Sequence, residues 1–150
     1  MNDGFARKEI IIDASIGVKW FSSENEEKIN LAIQLIEKHF IQKIELHVPN
    51  LFIFEVLNSL IYKNAFHENE INNTYHSLKL MHLKIIVPDD SIIKRAINLS
   101  INLKLSYYDS IYVALAQEMR APLITEDKKI LSHSDKNEFI KSLDYLKDIF

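Results

Sequence analysis

Residues 105–130, LSYYDSIYVALAQEMRAPLITEDKKI, limit the folds open to this chain more than any other stretch. Ser106-Tyr107-Tyr108-Asp109 is a helix start signal: Ser106 can cap, and Asp109 can face the free backbone N–H groups. Behind it, Ile111, Tyr112, Val113, Ala114, Leu115, Ala116 and Met119 leave almost no polar side. A helix apolar nearly all round belongs in an interior, not on an amphipathic surface. Pro122-Leu123-Ile124 then reads as a short strand, with Thr125-Glu126-Asp127 where it stops. One acid thus opens a buried helix and others follow the next strand, which is how an α/β fold sets a charged site over a dry core.

The rest of the chain repeats that alternation. Glu9-Ile10-Ile11-Ile12-Asp13 is a β-branched run ending in an acid, the pattern of a buried parallel strand. A short helix is expected over residues 14–21. Ser23-x-x-Glu26 caps a second, carrying Ile29, Ala32, Ile33, Ile36 and Phe40 at helical spacing. Residues 44–48 read as a strand closed by Pro49. Residues 50–65 read as a helix striped by Leu51, Phe54, Leu57, Leu60 and Ile61, with Glu55 beside the stripe about two turns in. A helix over 68–83, a strand over 84–87 and a helix over 90–103 follow. Lys128 to Leu131 has the pattern of a helical turn, and residues 139–150 fit either an edge strand with a short helix or one helix. Strands alternating with helices imply a parallel sheet covered on both faces. A chain of 150 residues with no linker or internal repeat is expected to be a single domain spanning 1–150.

Two glycines, Gly4 and Gly17, exclude a Walker loop and a G-x-G-x-x-G fingerprint. The absence of cysteine excludes a disulfide framework or thiolate metal site. A net charge of −3 argues against attachment to nucleic acid by bulk positive charge, although a carboxylate cluster around metal ions lowers net charge by itself. No run reaches the ~18 apolar residues of a membrane helix and the N-terminus has no signal-peptide core, so a cytoplasmic protein is expected.

Singly, the acids have ordinary explanations: Asp13 as a helix cap, Glu55 on a wet face, Asp109 as a capping-box partner, Asp127 as a turn residue. Jointly they say more. Asp13 and Asp127 lie beyond the C-terminal ends of strands, where open parallel sheets place their sites. One pocket can receive all four. Two unit charges ~4 Å apart repel by roughly 4 kcal/mol at an effective dielectric of ~20, so such a cluster calls for a cation. Oxygen-only ligands select Mg²⁺ or Mn²⁺ over zinc. These ions retain waters, and such a water can be activated against a phosphodiester.

IIIDASIGVKW, PNLFIFEVLNSL, LSYYDSIYVALA and LITEDKKI together resemble, in order and approximate spacing, the four signature blocks of PIN-domain ribonucleases, in particular the small VapC-type toxins of type II toxin–antitoxin systems. The resemblance implies a PIN-like, Rossmann-like three-layer α/β/α sandwich around a mainly parallel sheet. It implies Mg²⁺- or Mn²⁺-dependent endonuclease cleavage of RNA, a homodimer, and a small antitoxin that blocks the site. Carried over by block, Asp13, Glu55, Asp109 and Asp127 take the family's catalytic and metal-binding positions, with Ser15, Asn58 and Thr125 in support. The departure is Glu-Met-Arg-Ala at 118–121, where relatives often carry a glycine before the last strand. The competing reading is a PIN-fold RNA- or protein-binding module that has lost catalysis. A receiver domain wants two adjacent acids after its first strand and an aspartyl phosphatase wants Asp-x-Asp, whereas Asp13 is followed by Ala-Ser.

The histidines (His39, His47, His67, His76, His82, His133) show no metal-binding spacing and read as surface or boundary residues. Lys19, Lys63, Lys104, Lys128 and Lys129 are either RNA phosphate contacts or solvated lysines on helix faces. Trp20, Phe21, Phe52 and Phe54 could line a groove for a partner helix or pack in the core.

Overall fold

Ile10, Ile11 and Ile12 are consecutive and all fully buried. A strand achieves that only when both faces of its sheet are covered. The computed structural model describes residues 6–22, 27–63 and 66–150. In it these isoleucines belong to the central strand, β1 (Lys8–Ile12). The others are β2 (Ile44–Pro49), β3 (Lys84–Ile86), β4 (Leu123–Ile124) and β5 (Ile140–Lys141). They form one sheet in the order β3-β2-β1-β4-β5. Every pairing is parallel.

The helices among the described residues are α1 (Ala14–Phe21), α2 (Ile29–Phe40), α3 (Phe52–Tyr62), α4 (Glu68–Leu80), α5 (Asp90–Leu103), α6 (Tyr107–Met119), α7 (Lys128–Leu131) and α8 (Leu146–Ile149). The result is a three-layer α/β/α fold. In one layer α6 packs on β1, β2 and β4 and carries α5 outside it; α1, α2 and α3 pack together, with α2 against β2. Residues Ser110 to Ala116 of α6 are buried without a break, as its apolar circumference predicts. No helix of the described residues is long and apolar enough to cross a membrane.

Strand order positions the site. The chain steps outward from β1 to β2 and β3, then returns across β1 to β4 and β5. The reversal lies between β1 and β4, and the crevice beyond the carboxyl ends at such a point is where doubly wound sheets bind ligands. Asp13 leaves β1 there and Thr125 leaves β4.

Several details differ from expectation. The Ser23-x-x-Glu26 capping signal and Ala65 lie outside the described residues. On α2 the buried set is Ala32, Leu35 and Ile36, with Ile33 and Phe40 exposed. On α3 it is Phe52, Val56 and Leu60, while Phe54 and Ile61 face out. The helix is apolar on more than one side, so its stripe was ambiguous, and Gly17 decides it. A Cβ there would lie 2.7 Å from both Phe52 Cζ and Val56 Cγ2, so α1 and α3 meet only because Gly17 has none. The 139–150 alternative resolves as an edge strand followed by a 3-10 turn (Leu143–Tyr145) and α8. Arg120 ends α6 in the left-handed region, φ 51°, which explains why a glycine would be favoured in that block.

Candidate active site

Asp13 occupies the N-cap position of α1, yet its side chain caps nothing. It is 5% exposed. Its carboxylate accepts a hydrogen bond from Ser15 Oγ at 2.5 Å, and the Thr125 hydroxyl lies near enough to favour its charged form. Ser15 Oγ also accepts from the Glu126 backbone N–H at 2.9 Å, and Thr125 Oγ1 from that of Asp127 at 3.0 Å. Ser15 thus ties the end of β1 to the segment leaving β4, while Thr125 shapes the turn that carries Asp127. Burial pushes the Asp13 carboxyl up to about 7; the Ser15 and Thr125 hydroxyls oppose the rise, while Asp127 and Glu55 add to it.

The other three acids approach from different elements. Glu55 lies in the first turn of α3, a turn earlier than expected because that helix begins at Phe52. Its Oε1 accepts from the Tyr112 hydroxyl at 2.6 Å. Burial raises the Glu55 carboxyl first, Tyr112 lowers it, and Asp109 and Asp127 raise it again. Asp109 opens α6. The Ser106 hydroxyl caps that helix by accepting from the Asp109 N–H at 3.0 Å. The half-buried Asp109 carboxyl is raised by burial, lowered by its hydrogen bond to Ser106, raised by Asp127 and lowered by Lys129. Asp127 caps α7 through Oδ1, which accepts from the Lys129 and Ile130 N–H groups at 2.9 and 3.1 Å. Asp127 acts on Asp13, Glu55 and Asp109 alike. The four acids share one electrostatic environment.

Tyr112 is the neighbour that sequence reasoning placed only in the core. It is 1% exposed, and burial followed by the Glu55 charge drives its phenol upward, so it stays a hydrogen-bond donor. Its place three residues after Asp109 on one helix face was the available signal. Asn58, one turn after Glu55, is exposed, and among the described residues it hydrogen-bonds none of the acids. Glu126 points elsewhere, accepting from Leu143 N–H at 2.8 Å and pairing with Lys28 at 3.3 Å. Lys19 is buried rather than solvated. Lys104, Lys128, Lys129 and Lys63 are exposed, and Lys129 lies beside Asp109. Trp20 donates from Nε1 to Ala32 O at 2.8 Å and its ring lies 6.3 Å from that of Phe52, tilted by 59°, so Phe52 is core and Trp20 packs against it.

The donor chemistry fits a hard divalent cation: carboxylate oxygens only, one of them buried and short of counter-charge. The spacing limits how. No three of the four acids hold ligand atoms within 4.8 Å of one another. Two oxygens bound to one Mg²⁺ stand at most ~4.2 Å apart, twice its ~2.1 Å bond. As placed, the acids suit direct ligation by one or two carboxylates with water completing the shell.

The sequence pattern of the PIN-domain family matches residues 10–136. The chain belongs to the PIN-domain family. Its fold is similar to that of a chain from a toxin–antitoxin complex of Klebsiella pneumoniae, with a TM-score of 0.65 at 21% identity over 89% of this chain and 97% of that one. It is also similar to VapBC-1 from nontypeable Haemophilus influenzae, with 0.62 at 12% identity, covering 91% and 98%. For VapC20 of Mycobacterium tuberculosis, a sarcin-ricin loop cleaving toxin, the figures are 0.59 and 11%, covering 82% and 94%. No curated protein sequence matches the chain. The PIN blocks quoted from the sequence carry the four acids, and the departure at 118–121 lies at the far end of α6 from Asp109.

Proposed function

We propose that this PIN-domain chain is a metal-dependent endoribonuclease and the toxin of a toxin–antitoxin pair. The observation that carries the reading is Asp13, a buried carboxylate that caps no helix, whose charge is disfavoured by desolvation and by Asp127 and Glu55. Such a group is costly in a structural role and useful around a cation. Asp13, Asp109 and Asp127, with Glu55, would hold Mg²⁺ or Mn²⁺, at most two of them directly and the others through its waters. The ion when bound would lower the pKa of a water so that, deprotonated, it can attack phosphorus, and would stabilise the charge on the leaving oxygen.

The chain's own residues do the positioning. Ser15 and Thr125 hold the Asp13 carboxylate toward the crevice, and Tyr112 turns Glu55 in the same direction. The exposed Lys128 and Lys129 flank Asp127 and suit contact with RNA phosphates. The whole of 1–150 acts as a single domain. Toxin–antitoxin and VapBC assemblies among the fold's neighbours support a small antitoxin as partner; a homodimer acting on RNA in the cytoplasm completes the reading.

Cleavage of RNA with and without Mg²⁺, by the native chain and by Asp13→Asn and Asp109→Asn, tests the proposal. Activity should require the ion and fall by 100-fold or more (~3 kcal/mol) in each variant. Metal-dependent activity surviving in both would refute the assignment; no cleavage by the native chain would favour the binding-module reading.

A further inference from the structure

At the opposite end of the strands, Glu9 of β1 stands in register with Glu45 of β2, and His47 lies two residues on along the same face. His47 is 6% exposed. Neither of its ring nitrogens has a hydrogen-bond partner. A buried imidazole with both nitrogens unpaired is costly, and native structures rarely leave one. Nε2 nevertheless lies near two carboxylates, 3.3 Å from Glu45 Oε2 and 3.7 Å from Glu9 Oε1. Among the described residues this is the one group of three or more such side chains whose ligand atoms all lie within 4.8 Å of one another.

We infer that Glu9, Glu45 and His47 form a binding site for a zinc-class divalent cation, distinct from the acidic crevice. The separations carry the argument. Donors on a tetrahedral zinc ion, with bonds of ~2.0–2.1 Å, stand roughly 3.3–3.4 Å apart. The His47–Glu45 separation matches that edge, and His47–Glu9 exceeds it by a few tenths of an ångström. Both exceed the usual length of a charge-assisted hydrogen bond, ~2.7–2.9 Å. An imidazole nitrogen with two carboxylate oxygens suits zinc and its neighbours better than Mg²⁺, leaving a fourth position for water. Glu45 divides its two oxygens: Oε2 faces His47, while Oε1 takes the looser approaches of Lys84 at 3.8 Å and Arg7 at 3.9 Å. Both cations are largely exposed, and Arg7 is engaged by Gln42 Oε1 at 2.7 Å instead. Glu9 is half exposed and gives the ion a way in. An ion here would join the amino-terminal ends of β1 and β2.

The chain, stripped with chelator, is titrated with ZnCl₂ in excess Mg²⁺, and heat of binding and bound metal are measured. One equivalent of zinc should bind. Glu9→Gln, at an exposed position that leaves folding intact, should weaken it by roughly tenfold or more. His47→Ala should abolish it, and Asp109→Asn in the crevice should leave it unchanged. Because the readout is binding, it stands apart from RNA cleavage. Absence of zinc uptake in excess Mg²⁺, uptake undiminished in Glu9→Gln, or uptake lost only in Asp109→Asn would each overturn the inference.

Discussion

Replacing Asp13 by asparagine tests the central electrostatic claim without relying on catalysis. An ordinary aspartate titrates near 3.8, whereas burial lifts Asp13 to about 7. Between those values the folded chain holds a proton that the unfolded chain has released, so stability falls as pH rises through this window. Once pH exceeds the folded value the loss is complete. At roughly 1.4 kcal/mol per pH unit it comes to about 4 kcal/mol. Asparagine has the same shape and no charge, but its NH₂ group has no evident acceptor, which returns about 1–2 kcal/mol. In chelator at pH 8, Asp13→Asn should therefore be more stable than the native chain by about 2–3 kcal/mol. For a chain of this length that raises Tm by about 5–10 °C. Near pH 4 the gain should vanish or change sign. Added Mg²⁺ should stabilise the native chain, by about 2.7 kcal/mol at 100 times its Kd, and leave the variant unmoved. Thermal melts from pH 4 to 8, with chelator and with Mg²⁺, measure all of this. A stability difference that does not vary with pH would refute the reasoning.

Other residues give shorter tests. Tyr112→Phe keeps the ring in the core but removes the donor to Glu55, so the rate of RNA cleavage should fall roughly tenfold (about 1.5 kcal/mol) while Tm changes by only a few degrees; an unchanged rate would dismiss Tyr112 as a positioning residue. Gly17→Ala forces a Cβ against Phe52 and Val56 and should cost about 1–3 kcal/mol in urea unfolding, because α3 must move and carry Glu55 with it. Arg120→Gly relieves a left-handed residue and should stabilise by about 0.5–1 kcal/mol after the entropy of glycine is counted. Because burial raises Asp13, Glu55 and Asp109 together, activity at limiting Mg²⁺ should decline on acidification at a higher pH than ordinary carboxylates would give, and excess Mg²⁺ should shift that decline downward.

Local pattern alone determined a good deal of this protein. The β-branched run before Asp13, the apolar circumference of α6, Ser106 as its cap and the alternation of strands with helices are properties of neighbouring residues, and each was found where the sequence predicts it. The acids could be placed at strand ends for the same reason. What no single element contains is its partner. Ser15 and Glu126 are 111 residues apart, and only the return of the chain across β1 brings them into contact and places Asp13 beside Thr125. The buried side of α3 was decided by the missing Cβ of Gly17 on another helix, which left Phe54 and Ile61 outside. His47 has no metal-binding spacing in sequence, because its companion Glu9 sits on a different strand and only parallel register sets the two together. Periodicity reports which faces a segment can bury; long-range pairing, where loop closure is offset by packing, selects the one it does bury and which charges then meet.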